Sequence, residues 1–180
     1  MTKRVLFAGF GGQGVLFAGR VLANAALEKG YEVSWVPSYG PETRGGTSIC
    51  AVVISDRVIG SPMVTNPDIL IAMNAPSYDK YLDAVVVDGT MIMDSSLINR
   101  DVNRDDITVI KIDATNLTEE KNLAGLSNMF LLGKLFKELS LFTEQEIEAG
   151  VRLSVAAGRE NLVVRNLEAI KLGSEYADES

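Results

Sequence analysis

Apolar and polar positions along this chain switch between two periods, and the switch points divide it into elements. RVLFAG, residues 4–9, is a short continuous apolar run of the kind a buried strand shows. Beyond a glycine cluster, Val15, Ala18, Val21, Leu22 and Ala25 recur at helical spacing, with Arg20, Asn24 and Glu28 on a polar stripe. The pattern predicts a helix over 15–29, ended by Gly30 as a left-handed cap. YEVSWVP then alternates into a second strand. Strand, helix and strand together imply a parallel sheet with a right-handed crossover.

SYGPETRGGTS, residues 38–48, is dense in Gly, Pro and polar side chains and reads as a loop. ICAVVIS and RVIGSPMV, on either side of Asp56, predict an antiparallel hairpin. DILIAM and AVVVDG are short apolar runs of buried-strand type flanking a helix at APSYDKYLD, and ITVIKID predicts a further strand. NMFLLGKLFKEL, TEQEIEAGVRLSV and ENLVVRNLEAIKLG each carry one apolar face, and Thr143 with Glu146 makes a capping box for the second. The expected architecture is α/β: a Rossmann-like, mostly parallel sheet with an inserted antiparallel β-hairpin and C-terminal helices, one domain over residues 1–180.

Composition narrows the chemistry. The 24 acidic and 17 basic residues leave a formal charge of −7, which lacks the basic footprint of a general nucleic-acid binder. No apolar run reaches membrane-spanning length, and MTKRVLF runs into a glycine turn without a cleavage region, so a cytoplasmic protein is expected, with no membrane partner. There is no histidine, which removes imidazole-based triads, His-ligated metals and the commonest general acid and base. Cys50 is the only cysteine, too few for an iron–sulfur cluster, a cysteine-rich zinc site or an internal disulfide. Redox or acid–base chemistry would need equipment brought by partners.

Gly9, Gly11 and Gly14 satisfy G-x-G-x-x-G directly after a strand and at the start of a helix. Gly9 permits the tight turn, Gly11 lets a ligand approach the backbone, and Gly14 lets the helix pack on the sheet. The first helical turn offers free N–H groups to an anion. A nicotinamide site also needs an acidic residue at the end of the next strand, where this chain has Val36, Pro37 and Ser38. A free-standing NAD(P)- or FAD-binding protein and a turn that binds only protein both remain open. In the second loop Gly40 and Pro41 set a turn, Gly45 and Gly46 free the backbone, and Glu42 and Arg44 carry charge. Arg44 suits a phosphate or a partner's carboxylate, and an internal pair with Glu42 is the alternative.

GFGGQGV, followed after a helix and a strand by PSYGPETRGGTSICAVVIS, resembles the gamma subunit of the 2-oxoacid:ferredoxin oxidoreductases. These enzymes turn pyruvate, 2-oxoglutarate or branched-chain 2-oxoacids into acyl-CoA. The resemblance extends through MNAPSYDKY and GLSNMFLLGKL, nearly the whole chain. It implies an accessory subunit, inactive alone and with no catalytic residue of its own, that contributes to coenzyme A binding and completes an active site. Thiamine diphosphate would sit between alpha and beta subunits, iron–sulfur clusters would be held by beta and a ferredoxin-like delta subunit, and ferredoxin would accept electrons from the complex. By motif, Gly11, Gly12, Gln13 and Gly14 would face coenzyme A or the catalytic subunits, Arg44 would join the coenzyme A contacts, and Asn74 at a strand end would line the same crevice or stabilise a turn. Ser38, Tyr39, Gly40, Glu42, Gly45 and Gly46 would face the thiamine-bearing subunits. PETRGGTS looks closer to the 2-oxoglutarate and branched-chain branches than to the pyruvate branch, and 2-oxoglutarate is the preferred oxoacid. A homodimer of the isolated chain is consistent with surfaces meant for partners.

The remaining candidates read as structural. Cys50 lies in an apolar run and is expected to be buried, Trp35 and Tyr39 are expected at a core or interface, and Asp88 at a turn. Gly133, inside a helical pattern, implies a close helix contact.

Overall fold

A computed structural model describes residues 1–40 and 46–177. In chain order the elements are β1 (Thr2–Phe10), α1 (Val15–Glu28), β2 (Glu32–Tyr39), β3 (Thr47–Ser55), β4 (Ile69–Ala72), α2 (Ala75–Tyr81), a short 3-10 turn (Leu82–Ala84), β5 (Thr90–Asp94), β6 (Thr108–Ile112), α3 (Ala114–Glu120), α4 (Ser127–Leu139), α5 (Glu144–Ser154) and α6 (Glu160–Glu175). The strands form one mixed sheet in the order β2-β3-β1-β4-β5-β6. β4, β5 and β6 continue parallel from β1, while β3 runs antiparallel to both β1 and β2. β1 and β2 therefore point the same way, as a strand–helix–strand unit requires, but β3 lies between them.

That placement corrects the expected hairpin. The antiparallel pair is β2 with β3, in register from Glu32 opposite Ser55 to Tyr39 opposite Ser48. RVIGSPMV, residues 57–64, forms no strand. Both sides of β3 are already taken by β1 and β2, so no edge is left for a further partner, and Pro62 could not donate to a ladder in any case. AVVVDG is also corrected. The strand starts later, at Thr90, because Asp88 takes a left-handed conformation with φ 60° and turns the chain, leaving Val87 66% exposed. The seven-residue α3, ATNLTEE, has too few apolar positions to show a helical stripe and goes unread in the sequence.

Alternation along the strands sends two sets of side chains to two cores. Val5, Phe7, Cys50, Val52, Ile54, Ile71 and Ile92 face α1, α4, α5 and α6, while Leu6, Ala8, Leu70, Met91 and Met93 pack with Tyr78 of α2 and with Val85 and Ile98. α5 lies along α1, and α4 lies along α6. Gly133 meets the Ile170 backbone on α6, and Gly173 meets the Phe130 backbone on α4, so the two helices approach at reciprocal glycines. The capping box forms as read: Thr143 accepts from the Glu146 N–H, and Glu146 accepts from the Thr143 N–H at 2.8 Å. Among the described residues no helix is long and apolar enough to cross a membrane.

Candidate functional site

Five of the six strands run in one direction, so their carboxyl ends share one rim. The chain leaves β1 toward β2 on one side and takes up β4 on the other, and between β1 and β4 lies the crevice where open α/β sheets admit ligands. The turn Gly11–Gly14 sits there. Beside it the second loop returns to the sheet, with Phe10 opposite Thr47, and the Gly11 N–H donates to the Gly46 carbonyl at 3.1 Å. On the other flank the Gly40 N–H donates to the Thr47 carbonyl at 2.6 Å. Sequence-distant glycine segments thus form one surface. Pro41, Glu42, Thr43, Arg44 and Gly45 lie outside the described residues.

The site residues divide by what they touch. Gly11 and Gly12 are exposed, and a side chain on Gly12 would meet nothing within 4 Å, so the backbone there is open to an incoming group. Gln13 is spent on the fold. Its Oε1 accepts from the Phe10 N–H at 2.7 Å and its Nε2 donates to the Met73 carbonyl at 2.9 Å, bracing the end of β1 against the end of β4. Asn74 is buried and caps α2, with Oδ1 accepting from the Ser77 N–H at 2.8 Å, while Nδ2 has no hydrogen-bond partner. Ser38 and Tyr39 are exposed, Tyr39 by 70%. Phe10, at the end of β1 and more than a third exposed, is a rim aromatic that sequence patterning hides inside an apolar run, while Trp35, equally exposed, lies mid-strand opposite Val52.

Two glycine roles differ from expectation. The close approach to the sheet belongs to Gly9, where a Cβ would come within 3.0 Å of Met73 Cβ and Val15 Cγ2. Gly14, with φ 76°, makes room for Asn128 at the start of α4, whose Cγ would lie 2.9 Å from a Gly14 Cβ. Asn128 Nδ2 donates to the Gly14 carbonyl at 3.1 Å. The glycine-motif spacing does not mark Asn128, although it lies in the GLSNMFLLGKL segment that carries the resemblance.

Farther along the rim, Asp94 is buried and accepts from the Ser96 N–H at 3.1 Å and the Thr115 hydroxyl at 2.7 Å, and Ser96 donates to Asp113. The network locks the ends of β5 and β6 together. Cys50 is fully buried beside Gly19, and burial pushes its thiol up to about 12, which keeps it protonated and unreactive at neutral pH. Among the described residues no three His, Cys, Asp or Glu side chains converge. The arrangement presents N–H donors, the positive end of a 14-residue helix and exposed aromatics.

A mostly parallel sheet with a glycine turn at its switch point defines a Rossmann-like α/β protein. The family model for pyruvate ferredoxin/flavodoxin oxidoreductase matches residues 4–176, and the chain belongs to that family, among the gamma subunits of the 2-oxoacid:ferredoxin oxidoreductases. It is 38% identical over 182 residues to 2-oxoglutarate synthase subunit KorC of Methanocaldococcus jannaschii, covering 99% of this chain and 96% of that one. It is also 38% identical over 178 residues to ketoisovalerate oxidoreductase subunit VorA of Methanothermobacter thermautotrophicus, covering 98% of this chain but only 37% of that protein's length. The keto/oxoacid ferredoxin oxidoreductase gamma subunit of Geobacter sulfurreducens superposes with a TM-score of 0.79 at 28% identity, over 95% of each chain. The 2-oxoglutarate:ferredoxin oxidoreductase of Magnetococcus marinus, solved with 2-oxoglutarate, coenzyme A and succinyl-CoA, shares the fold with a TM-score of 0.86 at 22% identity, over 96% of this chain and 30% of that one.

Proposed function

We propose that the chain, acting as one domain over its whole length, is the non-catalytic subunit of a cytoplasmic multi-subunit 2-oxoacid:ferredoxin oxidoreductase and contributes to binding coenzyme A. The carrying observation is the joining of Gly11 to Gly46, which sets the open backbone of the first loop beside the second on one rim. Coenzyme A brings phosphates, and the residues fit them: exposed Gly11 and Gly12 leave the backbone free to approach, and the first turn of α1 supplies N–H donors and dipole. Arg44 would add a cation. Net negative charge does not oppose this, because a local cradle outweighs distant surface charge.

Thiamine diphosphate and the clusters belong to partner subunits on this reading, and ferredoxin takes electrons from the assembled complex. The exposed Tyr39 and Phe10, with Ser38, Gly40 and Gly46, form the docking rim on this reading. 2-Oxoglutarate is the proposed oxoacid and a branched-chain 2-oxoacid the second reading, supported by equal identities to the two kinds of relative.

The test is kinetic. Gly11→Val places bulk on the open turn and should raise the KM for coenzyme A about tenfold in the assembled enzyme, with the oxoacid KM little changed. An unchanged coenzyme A constant would leave the loops a protein-docking role only. An oxoacid panel on the same preparation assigns the substrate.

A further inference from the structure

Asn128 stands at the glycine turn although it is 114 residues away in sequence, and its carboxamide is half used. Nδ2 donates to the Gly14 carbonyl, which fixes the amide orientation, since a flipped group would set two oxygens face to face. Oδ1 is then buried with no partner. An unpaired buried acceptor costs on the order of 1–3 kcal/mol. The hydrogen bond gives little in return, because the Gly14 carbonyl already accepts from the Ala18 N–H at 3.0 Å. A half-satisfied buried carboxamide calls for an account, and this one lies against the glycine turn.

We infer that Asn128 is a positioning residue of the coenzyme A site, holding Gly14 in its left-handed conformation and so aiming the first-turn N–H groups of α1. The inference rests on the proposed coenzyme A role for its kinetic consequence. Its structural part is independent of that role. Gly14 cannot carry a Cβ, both because φ is 76° and because the Asn128 amide fills that space, so the turn and the start of α4 interlock. α4 is itself seated on α6 through Gly133 and Gly173. The direction of the N–H donors is therefore set by the packed α4–α6 pair as well as by the turn itself. Gln13 completes the frame from the opposite side through Met73.

The experiment uses Asn128→Leu, which keeps the branched side-chain skeleton and is free of the orphan acceptor, and Asn128→Asp, which loses the donor. In the full chain, Asn128→Leu should unfold at or above the wild-type temperature while the amide resonances of Val15, Leu16 and Phe17 shift. In the assembled enzyme both variants should raise the KM for coenzyme A about five- to tenfold with kcat largely kept. Unmoved amide resonances overturn the inference, as does a coenzyme A constant that stays put in both variants while Gly11→Val raises it. If the resonances shift and none of the three variants changes that constant, positioning stands and the coenzyme A reading falls. Lower stability of Asn128→Leu with unshifted amides would make Asn128 a packing residue only.

Discussion

Gly173→Ala sets two physical effects against each other. Helix propensity alone favours the variant, because Ala in a helix interior is better than Gly by about 1 kcal/mol. Packing opposes it: a Cβ at Gly173 would lie 2.7 Å from the Phe130 carbonyl carbon and closer still to its oxygen. Carbon atoms pack at about 3.5–4.0 Å, so α6 would have to retreat from α4 by about 1 Å. The obstacle is backbone, which cannot rotate away as a side-chain tip can. Overpacking costs about 1–3 kcal/mol, and the rigid obstacle puts this site at the upper end, leaving a net loss of about 2 kcal/mol after the propensity gain. For a chain of this size that lowers the melting temperature by about 4–8 °C. Thermal unfolding followed by circular dichroism measures it. Gly133→Ala should behave alike, and the double variant should lose less than the sum, since one separation of the helices relieves both clashes. A Gly173→Ala chain as stable as the wild type would refute the packing argument.

Two further outcomes concern titrating groups. Glu146 is held below its usual 4.5 by the Thr143 N–H and then by Lys29, so its contribution is complete above that value and disappears as pH falls through the lower folded value; Glu146→Gln should flatten the acid limb of a stability–pH curve relative to wild type. Cys50, raised from 9.0 to about 12 by burial, contributes fully below pH 9.0 and loses that contribution as pH rises toward 12. Its thiol should resist a disulfide reagent at pH 8 until urea unfolds the chain, and Cys50→Ala should remove part of the alkaline loss seen in urea titrations.

What the sequence disclosed follows from which interactions are local. α1, the capping box of α5 and the position of the glycine turn between β1 and α1 are written in residues within one or two turns of each other, and they read correctly, although the roles of Gly9 and Gly14 do not. β3 shows the opposite case. Its apolar run announces a strand, but which strands flank it depends on pairing across the sheet, and the nearest run downstream was the wrong partner. Gly133 announces a close helix contact, whereas its reciprocal Gly173 and the identity of the partner helix emerge only from packing. At the site, the motif marks Gly9, Gly11 and Gly14. Gln13 sits inside that motif yet its carboxamide braces strands, and Asn128 arrives from a helix that no spacing rule links to the turn.

The insertion of β3 between β1 and β2 changes what kind of connection the second loop is. In a plain parallel unit the segment after β2 must climb across the sheet to begin another crossover, and its length is dictated by that journey. Here it only reverses between adjacent antiparallel strands, with Tyr39 opposite Ser48 as its last rung. A reversal of that sort tolerates insertion or deletion at its tip while the ladder beneath keeps its register. Residues at that reversal can therefore be exchanged while the paired strands that carry the Gly11–Gly46 contact stay in place.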